Sequence, residues 1–390
     1  MSVSDPEKEL EALLRTDPSF VEERSLAVFD KVAGSHAGSI VLFGCGTLGL
    51  KTLKGLRSLN IEPLAFVDNN PRLWDLSVEG LRVLSPAAAV KRFGDTAVFV
   101  VTIYNGSVAR RQLQTMHCSM VVPFAYIFWK YSEAFLPYYA LDLPHALLAH
   151  ADEVRRVYFL WEDGASRREY LAQLRWRLLL DFDCLPNPSP AADVYFPEDL
   201  VSITDEEVFV DCGAYDGDIE REIIKRQRGE FGSIIALEPD PVNFEKLEKY
   251  VATLDADIRK RIVVRRLAAA SHRGKLRFCS GGTVMSAANP EGAIEVDCAP
   301  LDDIVEGCRP TYIKMDIEGV ELDALEGARA IIRHNNAVWA ICAYHRQEHL
   351  WQIPLLIRSF SDGYRFFLRR YAEECWEMVC YAIPVNRAKV

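Results

Sequence analysis

Residues 208–217 read VFVDCGAYDG, and no other stretch restricts the fold as much. An apolar run ends in Asp211, passes through Gly213 and Gly217, and is followed by helix-compatible residues. That is the pattern of a buried strand, a tight turn and a helix start. Residues 233–239, SIIALEP, repeat the strand pattern and end in a second acid, Glu238. Strand, glycine turn, helix and an acid-terminated second strand make a nucleoside site. The turn approaches the ligand and the acid holds the ribose diol.

The chain around this stretch alternates regularly. Strands are predicted at 208–212, 234–238, 262–267, 311–315 and 338–344, and helices at 219–228, 243–254 and 321–332. An insertion at 270–303 carries two more strand-like pieces and a Ser-Gly-Gly-Thr loop at 280–283. The chain closes with strand-like runs at 364–370 and 376–383, too close in sequence for a parallel crossover. A terminal hairpin on an otherwise parallel sheet fits the class I S-adenosylmethionine (SAM) methyltransferase fold, here a mostly parallel seven-stranded sheet. The turn agrees, because Gly213-x-x-x-Gly217 is not the GxGxxG that cradles a pyrophosphate.

A second unit of similar plan comes earlier. Residues 39–49, SIVLFGCGTLG, place Gly44, Gly46 and Gly49 at dinucleotide spacing, and Asp68 ends the next strand. Further strands at 81–84, 97–104 and 120–125 predict a five-stranded sheet. Two roles stay open for this unit: nucleotide or nucleotide-sugar binding, or a structural or dimerisation role. NAD-dependent oxidoreduction through the same loop is an alternative for the whole chain. Tyr126 and Lys130 form a YxxxK pair, but among Phe124, Phe128, Trp129 and Tyr131 they read as part of an aromatic core. The expected organisation is α/β with two Rossmann-like domains. A helical segment at 1–35 leads into the first domain at 36–130. A helical connector and proline-rich linker at 131–199 leads into the second at 200–390.

The net charge of −11 argues against nonspecific nucleic-acid binding and a polybasic membrane anchor. None of the ten cysteines has CxxC or zinc-ligand spacing, which suggests a reducing compartment and no structural zinc. The acidic N-terminus lacks a signal-peptide core, and the longest apolar runs are about half a membrane span. A cytoplasmic protein without membrane insertion is expected.

Four segments in order, VFVDCGAYDGD, ALEPDPVNFEKL, TYIKMDIEGVELDALEGA and AICAYH, resemble the FkbM-type methyltransferases across about 201–384. The N-terminal third is similar, more loosely, to an accessory domain of some longer members. The resemblance implies SAM as cofactor and a hydroxyl acceptor, often on a sugar or polyketide. A small-molecule or saccharide acceptor is therefore expected, with a homodimer possible. The matching positions for SAM are Asp211, Gly213, Tyr215, Gly217, Glu238 and Asp240, with Asp211 orienting the turn and the methionine ammonium. The third strand ends LAAAS, so adenine would be met by backbone or by Ser271. Asp316, Glu318 and His345 follow the fourth and fifth strands at the ligand edge and are the candidates for the general base. Lys314 would pair with Asp316 or orient the acceptor. Asp316 and Glu318 show no third ligand in an evident position, so no metal is expected. Residues 280–283 and 349–351 are the expected walls of the acceptor pocket.

Overall fold

The structure, a computed structural model, describes residues 5–279, 287–288, 292 and 294–389. The 280–283 loop lies outside the described residues. The chain divides into two units. Unit 1 takes Met1–Ala151, Leu171–Pro188 and Ala372–Trp376. Unit 2 takes Asp152–Tyr170, Ser189–Tyr371 and Glu377–Val390. Unit 2 thus includes stretches N-terminal to the boundary expected at 200.

In unit 1, helices Pro6–Leu14 and Pro18–Ala33 each begin with proline after an aspartate whose carboxylate accepts from a backbone N–H of the first turn. The sheet runs β3-β4-β2-β1-β5-β6. Its strands are β1 (Ile40–Phe43), β2 (Ala65–Val67), β3 (Ser77–Val78), β4 (Leu81–Leu84), β5 (Val98–Val101) and β6 (Val121–Pro123). Five are mutually parallel, and these are the five strands expected. The sixth, β3, pairs antiparallel with β4. Glu79 and Gly80 both have positive φ, at 50° and 81°, the backbone a two-residue hairpin needs. A two-residue strand is too short to show in apolar periodicity, which is why five strands were expected and six are found.

In unit 2 the sheet runs β16-β17-β15-β14-β7-β8-β9. Its parallel strands are β7 (Val208–Cys212), β8 (Ser233–Leu237), β9 (Ile262–Arg265), β14 (Tyr312–Met315) and β15 (Val338–Cys342). The hairpin of β16 (Tyr364–Arg370) and β17 (Met378–Pro384) joins through β17, antiparallel to β15. The central strands β14 and β15 are buried along their length, as continuous apolar runs in a parallel sheet should be. Tyr312 and Trp339 are fully buried, each worth on the order of 2 kcal/mol of apolar burial. The insertion forms a separate small sheet, β10-β13-β11-β12, from β10 (Ala268–Ala269), β11 (Gly274–Cys279), β12 (Ala287–Ala288) and β13 (Ile294–Ala299).

Candidate functional site

β7 and β14 are register-paired so that Lys314 stands opposite Asp211. Both side chains are buried, with Lys314 Nζ 2.9 Å from Asp211 Oδ1 and donating to the Gly213 carbonyl at 2.7 Å. Lys314 therefore pairs with the acid of the glycine turn, and its link to Asp316 is through charge alone. Burial pushes Asp211 up to about 6, with Lys314 opposing the rise. Glu220, in the first turn of helix Asp218–Arg226, is also fully buried, and neither carboxylate oxygen makes a hydrogen bond. Burial and the Asp211 charge hold it well above the usual carboxylate range. Sequence reasoning missed Glu220, though an acid between Ile219 and Ile223 on the buried face of a helix was the available signal.

The turn itself is left-handed at Gly213 (φ 89°), Tyr215 (48°) and Gly217 (88°). A Cβ on Gly213 would stand 2.0 Å from the Asp316 carbonyl, so glycine is what lets the β7 turn rest on the end of β14. Glu238 follows β8 and accepts from the N–H groups of Tyr215 and Asp240, both at 2.8 Å. It ties the turn to the second strand, and burial pushes it up to about 7. Asp240 caps helix Pro241–Ala252, accepting from Val242 N at 2.8 Å and Asn243 N at 3.1 Å. Ser271 donates its backbone N–H to Asp323 at 3.0 Å.

The second group of residues gathers past β14 and β15. Tyr195 donates its hydroxyl to Asp316 Oδ2 at 2.9 Å, a partner the sequence did not announce. Asp316 Oδ1 is buried, makes no hydrogen bond and lies 3.2 Å from His345 Nε2. Glu318 Oε2 lies 3.9 Å from the same nitrogen. Glu318 and Gly319 both have positive φ, 56° and 102°. On the other side of the ring, His345 Nδ1 is 2.6 Å from Glu321 Oε1, and Glu321 Oε2 is 3.2 Å from His349 Nδ1. Burial disfavours charge on His345, but Glu321 and Asp316 outweigh it and hold the imidazole well above its usual value. Burial likewise opposes the charge on Asp316, yet His345, Lys314 and Tyr195 hold its carboxyl below the usual range. Glu377, beside β17, was also missed. Burial and the Asp316 charge push it up to about 7. His349 and Trp351, expected as pocket walls, are buried at 2 % and 1 % exposure. Asp316, Glu318 and His345 each offer a ligand-type atom within 4.8 Å of the others.

In unit 1 the glycine loop serves its own packing. A Cβ on Gly49 would stand 1.9 Å from the Gly44 carbonyl, and one on Gly44 would meet Thr102 and Ile103. Gly46 alone of the three faces open space. Asp68 accepts from Cys45 N at 3.1 Å and Asn70 N at 2.8 Å. Lys130 pairs with Asp30 and lies over the Phe29 ring, so the YxxxK spacing has a packing explanation. A cavity of about 800 Å³ in this unit is lined by Arg24, Arg110, Arg111, Arg175 and Tyr126, among others. None of Gly44, Gly46, Gly49 or Asp68 lines it.

Among the described residues, no helix is long and apolar enough to cross a membrane. No curated protein sequence matches the chain. The structure is similar to a methyltransferase FkbM from Methylobacillus flagellatus KT, with TM-score 0.80 and 24% identity over 97% of this chain and 100% of that one. Smaller overlaps occur with an rRNA methylase from Streptococcus thermophilus (TM-score 0.31, 11% identity, 51% of this chain and 98% of that one). Another is fibrillarin from Aeropyrum pernix in complex with natively bound S-adenosyl-L-methionine (TM-score 0.31, 10% identity, 49% and 76%). The profile of the Methyltransferase FkbM domain matches residues 211–372. That span opens at Asp211 and takes in Glu238, Asp316 and His345, so the stretch of unit 2 that holds both groups of residues is similar to the FkbM methyltransferase domain.

Proposed function

We propose that the chain is a SAM-dependent O-methyltransferase acting on a hydroxyl of a sugar or another polyol. The carrying observation is the contact of the Gly213 turn with the backbone of Asp316, which sets a cation-seeking cofactor turn beside a carboxylate cluster. The donor set suits SAM. Asp211 pairs with Lys314 and Glu220 is a second buried carboxyl group with no hydrogen-bond partner, a concentration of acid that suits a ligand bringing an ammonium and a sulfonium. Glu238 would accept from the ribose diol, while Asp240 supports the turn by capping its helix.

SAM, when bound, supplies an electrophilic methyl on sulfur. Asp316 and Glu318 accept the hydrogen bond of the incoming hydroxyl and align its oxygen with that carbon. One of these carboxylates would take up the proton that the hydroxyl loses on methylation. His345, clamped through Nδ1 by Glu321, faces both carboxylates and holds them in place. The NAD alternative is disfavoured because Asp68 and two glycines of the unit 1 loop are engaged in local packing.

Calorimetry with S-adenosylhomocysteine, SAM, NAD and UDP-sugars tests the reading. S-adenosylhomocysteine is expected to bind wild type and to lose at least tenfold in affinity in Glu238→Ala. Binding of NAD alone would sink the proposal. A mass-spectrometric screen for a 14-dalton gain across sugar acceptors then identifies the substrate.

A further inference from the structure

We propose that Asp316, Glu318 and His345 form a binding site for one divalent cation of the Mn²⁺ or Fe²⁺ type, which would present the acceptor hydroxyl to the methyl donor. What the ion does rests on the methyl-transfer reading; whether it binds does not. The ligand atoms lie within 4.8 Å of one another, with His345 Nε2 3.2 Å from Asp316 Oδ1 and 3.9 Å from Glu318 Oε2. Neighbouring ligands about 2.1 Å from a metal ion stand about 3 Å apart, so small side-chain adjustments bring this set onto one face of a coordination sphere.

Two observations outside the three ligands point the same way. Metal-bound histidines generally have their other ring nitrogen fixed by a carboxylate. Here Glu321 Oε1 is 2.6 Å from Nδ1, and Glu321 is itself wholly buried and braced by His349. Tyr195 occupies Asp316 Oδ2, leaving Oδ1 as a buried oxygen that takes no hydrogen bond and is turned toward Nε2. The outer groups thus orient the inner ones and direct their remaining atoms to one point. One imidazole with two carboxylates suits Mn²⁺ or Fe²⁺ better than Ca²⁺, which prefers an all-oxygen cage. Three protein ligands leave positions for a hydroxyl or a vicinal diol, whose proton a bound cation would acidify.

The test uses the full chain stripped with a chelator and titrated with Mn²⁺ alone, followed by calorimetry and electron paramagnetic resonance. One saturable ion per chain is expected. Asp316→Asn and Glu318→Gln should each weaken it at least tenfold, and Glu321→Gln, which touches no ion, by about 10–100-fold. Unchanged melting and S-adenosylhomocysteine affinity in Glu318→Gln show that its fold is intact. Absence of saturable Mn²⁺ binding, or binding that both ligand variants leave unchanged, overturns the site and marks the cluster as an ion-pair network. A chain that binds S-adenosylhomocysteine but shows no saturable Mn²⁺ binding sinks the cation site and spares the cofactor reading. Mn²⁺ binding without S-adenosylhomocysteine upholds the site and sinks that reading.

Discussion

Glu238 links pH to both stability and ligand binding, with opposite signs. Its carboxyl is pushed up to about 7 by burial, above the ordinary value of 4.5. Between those values the folded chain holds a proton that the unfolded chain has lost. Stability therefore falls as pH rises through that window, by up to about 3 kcal/mol from this group. Glu238→Gln should flatten this slope in urea titrations at pH 5 and pH 8. Cofactor affinity should run the other way, weakening as pH drops below about 7 because the ribose diol needs the carboxylate; a pH-independent S-adenosylhomocysteine affinity would count against Glu238 as the ribose acid. Lys314→Met should cost about 3–5 kcal/mol in chemical denaturation, since it leaves Asp211 buried beside Glu220 with no cation. The loss should be larger at pH 8 than at pH 5, where those acids can take up protons.

At the scale of elements, the glycine turn makes a prediction with a built-in comparison. Gly213→Ala brings a Cβ to 2.0 Å of the Asp316 carbonyl at a φ of 89°, so the β7 turn and the β14 end must part. Gly307 has a similar φ of 83° but nothing within 4 Å of its missing Cβ. Gly307→Ala should cost about 1 kcal/mol from backbone strain alone. Gly213→Ala should cost more and abolish S-adenosylhomocysteine binding, and equal losses in thermal melts would sink the close-approach argument. The elements themselves were largely legible in the sequence. Continuous apolar runs gave the parallel strands of unit 2, and the short gap before 376 gave the terminal hairpin. What could not be read was register. Lys314 meets Asp211 only because β14 pairs with β7 at that offset, and no local pattern encodes it. That His345 stands at the same edge as Asp316 and Glu318 was legible from the strand ends, but the distances between them were not. Tyr195 reaches Asp316 from a stretch read only as linker, and Glu220 and Glu377 matter through burial, which depends on what packs over them.

At the scale of the whole molecule, unit 2 is not a contiguous stretch. Arg369 contacts Asp163 at 2.6 Å and Asp199 at 2.8 Å, and the buried Arg370 contacts Glu169 at 2.7 Å. Trp161 bridges to Phe366 of β16 and is fully buried. A fragment of residues 200–390 removes all of these partners from the β16 edge. It should show no cooperative thermal transition and bind no S-adenosylhomocysteine, whereas the full chain should melt cooperatively and bind this ligand. A fragment with a sharp melt and full affinity would show that the segment 152–170 is dispensable.

The contact of Gly213 with Asp316 has a kinetic consequence. The turn proposed to meet the cofactor and the loop proposed to meet the acceptor share one backbone contact, so ordering the first would restrict the second. Acceptor capture should then follow cofactor capture in a compulsory sequence. Initial-rate patterns would show this directly, with S-adenosylhomocysteine competing against SAM and acting noncompetitively against the acceptor.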